Sequence, residues 1–247
     1  FRFACNSVES LSADVLPTDL VEIGIRTFGS RARLEAALSE THAPAIVNVG
    51  GTELCMISNR KDQSIQQLRA EFPATDDVYG AKGPMLDEHG VVVDIGANLG
   101  AFTIYTALKH PDVQVVSFEP SPPTWFYFVC NLRLNGVNSL SLENWGSGRP
   151  GGVLALNGVA GDSDGHVDIK WTAENSQVAT VGTKEAGTEQ WLSATVKRHA
   201  MSNFINSADV RRVNIFKIDC EGCEFVVGSQ VGKSHFSPPN IPFLFLV

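Results

Sequence analysis

The stretch VVVDIGANLGAFTIY (91–105) decides the fold. VVVDIG (91–96) is a β-branched apolar run closed by Asp and Gly, the pattern of a strand buried on both faces. LGAFTIYTALKH (99–110) follows as a helix, closed by His110 and Pro111. VQVVSFEP (113–120) repeats the strand and ends on Glu119. Ser121, Pro122 and Pro123 make a helix start, a capping hydroxyl followed by prolines at the first positions. That helix runs through TWFYFVCNLRLN to the stop at Gly136. Strand, helix, strand, helix with tight turns predicts a parallel, doubly wound α/β sheet.

Outward from this core the pattern loosens. SLSLENWGSGRPGG (139–152) is rich in Gly and reads as an inserted loop. VLALNGVAGDSDGHVDIKW (153–171) predicts two strands around the turn DSDG. Residues 172–190 read as polar and irregular, and WLSATVKRHAMSNFI (191–205) as a helix. VNIFKIDCEGCEFVVGSQ (213–230) predicts a strand, a turn at Asp219 to Gly222 and a helix, and PFLFLV (242–247) a further buried strand. Upstream lies a leader of short elements. RARLEAALSE (31–40) predicts a helix, AIVNVGGTELCMIS (45–58) a hairpin around Gly50 and Gly51, and KDQSIQQLRAEF (61–72) a helix stopped by Pro73. GAKGPMLDEHG (80–90) is a loop. The division expected is a leader over 1–80 and a domain over 81–247.

Composition narrows the function. The 247 residues carry 27 acidic and 19 basic side chains, a net charge of −8, with 43% hydrophobic and 19% charged residues. Such a chain buries a core. Its acidity argues against nucleic acid, which needs clustered Lys and Arg. No apolar run reaches the ~20 residues of a membrane span. The start, FRFACNSVES, has neither Met nor a signal-peptide pattern. The five cysteines (5, 55, 130, 220, 223) are odd in number and scattered, which reads as a reducing, cytoplasmic setting rather than a disulfide framework. The six histidines are isolated, so no metal site is expected.

Two motifs carry chemistry. Asp94, Gly96, Asn98 and Gly100 read D-x-G-x-N-x-G at a strand-to-helix turn. Glycines there would let the backbone pass close to a ligand, and the helix N-terminus offers unpaired N–H groups. Glu119 stands 19 residues after Gly100, at the end of the next strand, where a carboxylate accepts from both hydroxyls of a ribose. A dinucleotide site would want G-x-G-x-x-G. S-adenosylmethionine has no phosphate and is cationic at its amino group and sulfonium, which Asp94 suits; Asn98 would meet its amino-acid end. The plainer alternative is a tight turn with no ligand.

The second motif is KIDCEGCE (217–224), with Lys217, Asp219, Glu221 and Glu224 around another such turn. Asp219 reads equally as a helix cap and as a site residue, and Glu221 as an acid facing the helix dipole. Lys217 reads as a salt bridge or solvated strand end. Cys220 and Cys223 read as small buried hydrophobes rather than a redox pair. Trp125, Phe126, Tyr127 and Phe128 read as core.

VVVDIGANLGAFTIY, SFEPSPPTWFYFVCNLRLNGV and IFKIDCEGCEF resemble the signature blocks of FkbM-type methyltransferases, over roughly residues 75–247. The resemblance implies a Rossmann-like, class I methyltransferase sheet, S-adenosylmethionine as cofactor, and methylation of hydroxyl oxygens on sugars or polyketide products. It implies that Asp94, Gly96, Asn98 and Gly100 form the donor loop and that Glu119 holds the ribose. Asn157 to Asp162 would border the adenine. Asp219 and Glu221 would lie beside the transferred methyl, as candidate bases. One departure is Ala194-Thr195-Val196-Lys197, which lacks the acid the family often has there. Two other readings compete: a nicotinamide-dependent oxidoreductase, and a non-catalytic interaction module that keeps the fold. Sheets of this class usually have two strands beyond PFLFLV. The expectation is therefore a fragment, truncated at the C-terminal edge of its sheet.

Overall fold

A computed structural model describes residues 12–61, 64–71, 90–146, 150–172, 175–181, 191–207, 210, 213–220 and 243–246. The leader holds α1 (Thr18–Phe28), α2 (Arg31–Ser39), β1 (Ala45–Val49), β2 (Thr52–Met56) and α3 (Ser64–Glu71). Then come β3 (Val91–Ile95), α4 (Ala101–Lys109), β4 (Gln114–Glu119) and α5 (Pro122–Leu134). The remainder is β5 (Gly152–Gly161), β6 (Gly165–Thr172), β7 (Asn175–Val181), β8 (Trp191–Ala200), α6 (Met201–Ser207), β9 (Ile215–Ile218) and β10 (Phe243–Leu246).

Eight strands form one mixed sheet in the order β10-β9-β3-β4-β5-β8-β6-β7. The pairs from β10 across to β8 are all parallel, and β6 runs antiparallel to both β8 and β7. Every residue of β3 and β4 is buried, as their unbroken apolar runs require. Side chains alternate between two cores. Val92, Val115, Val153 and Ile215 face the first, with the leader, α4 and α5. Val93, Val116, Leu154 and Phe216 face the second, with Met201 and Phe204 of α6. Helices on both faces of a mostly parallel sheet make the doubly wound, Rossmann-like α/β fold that the sequence predicts.

The leader packs on α5. Phe28 meets Phe126 edge-on at 5.3 Å, and Thr41 and Tyr127 join through their hydroxyls at 3.0 Å. Helix α1 is absent from the sequence reading because Gly24 and β-branched Val21, Ile23 and Ile25 lower its propensity. The glycine has a packing cause: a Cβ at Gly24 would lie 2.6 Å from Cδ1 of Leu34. The hairpin forms as expected, with Gly50 and Gly51 at φ 53° and 80° in its two-residue turn.

Three expectations are corrected. Residues 191–200 are a strand, and helix begins only at Met201. Helix formers dominate WLSATVKRHA locally. An eight-residue ladder to β6 and burial of Val196 with Ile169 and Trp171 override that propensity. The polar stretch 172–190 contains β7, which has no apolar alternation to announce it. The cysteine reading also changes: Cys55 and Cys220 are each disulfide-bonded, and Cys130 is free and buried. Linear spacing is a poor guide here because folding sets sulfur proximity. The loop at 80–89, the stop at Pro73, Cys223 and the helix expected over 221–230 lie outside the described residues. Among the described residues no helix is long and apolar enough to cross a membrane.

Candidate functional site

The turn after β3 is fixed from both sides. Gly96 N and Ala97 N both donate to the Phe118 carbonyl at 3.0 Å, and Asn98 N donates to Glu119 Oε2 at 2.8 Å. Gly96, Asn98 and Gly100 all have left-handed backbones, at φ 82°, 52° and 86°. A Cβ on Gly96 would lie 1.6 Å from the Asp219 carbonyl oxygen, and one on Gly100 would lie 2.1 Å from the Phe128 ring. The structure thus gives these two glycines a chain-packing cause, where the sequence reading invoked a ligand's approach.

Asp94 is wholly buried. Its Oδ2 accepts from Thr103 Oγ1 at 2.6 Å and its Oδ1 from Lys217 Nζ at 3.0 Å. Lys217 also donates to the Gly96 carbonyl at 3.2 Å, lies 3.5 Å from Asp219 Oδ2, and sits 5.9 Å from the Phe102 ring centre. Two carboxylates share one ammonium, which leaves a net negative charge. The solvent-facing member is Asp219, with 37% of its side chain exposed. A cationic ligand would meet that charge through Asp219, while Asp94 acts from beneath. Asp219 N donates to the Ile95 carbonyl at 2.9 Å, so the ends of β9 and β3 are bound together.

Glu119 closes β4. Its Oε1 accepts from Ser121 N at 2.8 Å, opposite the bond from Asn98 to Oε2. Burial outweighs these two donors and pushes its carboxyl up to about 7. Asn157, opposite Glu119 in the ladder, donates from Nδ2 to the carbonyls of Glu119 and Pro120 at 2.9 and 3.0 Å. It shapes the chain as it leaves the strand. Asp162 stands apart. It lies five residues further on, about 17 Å at ~3.3 Å per residue, exposed on the β5–β6 turn beside Ser163. Glu221 is outside the described residues. The structure therefore brings Asp94, Gly96, Asn98, Gly100, Glu119 and Asp219 to the carboxyl ends of β3, β4 and β9, with Asn157 beside Glu119 in the middle of β5, whereas Asp162 lies beyond the far end of β5.

Sequence reasoning missed the supports. Thr103 links Asp94 to Ser117, whose Oγ is 2.7 Å from its own. A Thr at a buried position of an apolar helix was the available signal. His199 was assigned nothing. It is buried against Phe118 and Phe204 beside a cavity of about 380 Å3, which Lys197 and Trp145 also line. Burial, and secondarily the Lys197 charge, lower its basicity.

The residues suit a nucleoside-like cation better than a pyrophosphate. Asn98 Oδ1 is a buried acceptor with no partner, Glu119 offers a carboxyl at a strand end, and Asp219 a half-exposed carboxylate. All three are hydrogen-bond acceptors. The neighbouring Lys217 is turned toward Asp94 and the Gly96 carbonyl rather than held ready for phosphate.

Comparison with known proteins agrees. "Methyltransferase 1" of Beauveria bassiana is 30% identical over 154 residues, covering 59% of this chain and 59% of that protein. The hexuronic acid methyltransferase AglP of Haloferax volcanii is 27% identical over 75% of this chain and 67% of its own. The 31-O-demethyl-FK506 methyltransferase FkbM of Streptomyces tacrolimicus is 46% identical over 63 residues, 26% of this chain and 23% of its own. The match thus spans about three fifths of the Beauveria relative. No solved structure matches the chain. The methyltransferase FkbM domain matches residues 94–227, from Asp94 near the end of β3 past Lys217 of β9 and Asp219 just after it, and the chain belongs to that methyltransferase family.

Proposed function

We propose that this methyltransferase takes S-adenosylmethionine as donor and a hydroxyl oxygen of a sugar or natural-product-like small molecule as acceptor. The observation that carries the donor assignment is the pairing of buried Glu119 with the unpartnered Asn98 Oδ1 across one turn. Glu119 would accept from the ribose hydroxyls. Asn98 Oδ1 would accept a hydrogen bond from the amino group, and Asp219 would attract the positive charge. The donor supplies a methyl already activated by its sulfonium. The protein's part is then alignment, charge complementarity and exclusion of water. Asp219, a half-exposed carboxylate, would take the acceptor's proton, with Glu221 as the second candidate for the same role. The names of the Haloferax and Streptomyces relatives support a sugar-like or natural-product acceptor. Donor binding is assigned to the domain expected over 81–247, with the described part of the leader packed over α5.

Isothermal calorimetry with S-adenosylmethionine and its demethylated product tests this reading. Binding by the protein and its loss in Glu119→Ala are expected. No binding by the intact protein, or equal binding by the variant, would overturn the assignment. Binding of NADH in its place would restore the oxidoreductase alternative.

A further inference from the structure

We infer that Asn131 is a positioning residue that holds the donor turn from α5, the helix to which it also fastens the leader hairpin; this rests on the donor reading above. Asn131 is a fully buried polar side chain in α5 to which no role has been assigned so far. Its amide behaves like a neighbouring strand. Oδ1 accepts from Ile57 N at 2.8 Å, and Nδ2 donates to the Ile57 carbonyl at 3.2 Å. One turn later Asn135 repeats the device two residues back along the chain. Its Oδ1 accepts from Cys55 N at 2.9 Å and its Nδ2 donates to the Cys55 carbonyl at 2.8 Å. The i, i+4 spacing on the helix matches the two-residue step of β2 and its continuation. Together these bonds satisfy backbone groups that would otherwise be left unpaired against a helix.

The two differ in their third bond, which for Asn135 runs from Nδ2 to the Asn131 carbonyl within the same helix at 2.8 Å. Asn131 Nδ2 instead donates to the Leu99 carbonyl at 3.1 Å. Leu99 follows Asn98 in the glycine turn. The left-handed Asn98 is therefore bracketed, by Glu119 on its own N–H and by Asn131 on the next carbonyl. A non-glycine residue in that conformation is held by its surroundings. The Asn98 side chain, whose Oδ1 would meet the donor's amino group, takes its position from that bracket. The same Asn131 amide grips the hairpin, so the leader and the donor turn share one hinge point.

The two asparagines provide their own control. Asn131→Ala and Asn135→Ala each unfasten the hairpin, but only the first frees Leu99. Amide hydrogen exchange of residues 96–100 and calorimetric affinity for S-adenosylhomocysteine are the readouts. Asn131→Ala is expected to speed exchange in that turn and weaken binding by about fivefold or more, the factor of one ordinary hydrogen bond. Asn135→Ala is expected to leave both within about twofold, while lowering thermal stability. The isosteric Asn131→Asp, which keeps the acceptor for Ile57 N, is the second probe should the alanine variant not fold, and it is expected to show the same two effects. Equal exchange and affinity in the Asn131 and Asn135 variants would overturn the proposal. If the intact protein binds no S-adenosylhomocysteine, the donor reading fails, and exchange at 96–100 still decides whether Asn131 positions the turn.

Discussion

Burial of Glu119 makes stability depend on pH in a direction opposite to that of most paired carboxylates. Its carboxyl is pushed from 4.5 to about 7 because removal from water outweighs the bonds from Ser121 N and Asn98 N. The folded state therefore keeps a proton that the unfolded chain has already released. The stabilisation is fully present below about 4.5 and is lost as pH rises through about 7. A difference of 2.5 pKa units corresponds to about 3 kcal/mol over the full range. Between pH 5 and 8.5 about 2–3 kcal/mol of this is expressed, since the unfolded carboxyl is already partly ionised at pH 5. Glu119→Gln keeps the volume and cannot ionise. It has one acceptor oxygen for two N–H donors, which costs about 1–3 kcal/mol at every pH. The informative quantity is hence the difference in slope and not the absolute stability. Urea unfolding of both proteins at pH 5 and 8.5 should show the native protein losing about 2–3 kcal/mol relative to the variant. Parallel pH profiles would refute the reasoning. Ligand binding gives a second arm. If the ionised form accepts ribose hydroxyls, donor affinity should rise up to about tenfold between pH 6 and 8, and the rise should vanish in Glu119→Gln.

Other consequences are equally specific. Lys217→Met leaves the buried Asp94 unpaired and should cost about 3–5 kcal/mol in urea unfolding, with much of that recovered when Asp94→Asn is added; independent, additive effects would refute the pairing. Gly100→Ala forces a left-handed alanine into the Phe128 ring and should lower stability by about 3 kcal/mol, read as a fall in melting temperature, whereas an unchanged melt would refute it. Cys130 is buried and its thiol is pushed well above the ordinary range, so alkylation followed by mass spectrometry should label it only after unfolding.

Much of the donor turn was legible because its backbone demands are local. Asp94 to Gly100 sit between a strand with no polar break and a helix, and only glycine or asparagine tolerates three left-handed residues in five. Glu119 was legible from its place at the end of the next strand. What could not be read were relations created by the sheet. Asp94 and Lys217 are 123 residues apart in sequence, yet β3 and β9 are neighbours and the two residues face each other in register. The Lys217 salt bridge was therefore one of two readings, with no partner to name. Strand β8 was misread for a related reason. Its residues favour a helix by themselves, and only the ladders to β5 and β6 make the extended form win.

This division bears on how charge is handled. Asp94 looked like the ligand's counter-charge because it heads the motif. Its burial without Lys217 would be costly, so an Asp at that position calls for a cation on the adjacent strand. Once neutralised, it cannot present charge directly, and the role passes to whichever carboxylate shares the ammonium and reaches solvent, which is Asp219. The two motifs are thus halves of one electrostatic unit: the first supplies the buried anion, and the second supplies both the cation that neutralises it and the anion that faces solvent. Asp219→Asn should on this argument weaken binding of S-adenosylmethionine more than that of neutral 5′-methylthioadenosine, because only the former is cationic at sulfur. Equal weakening of both in calorimetry would show that Asp219 acts through the shape of the turn and not through its charge.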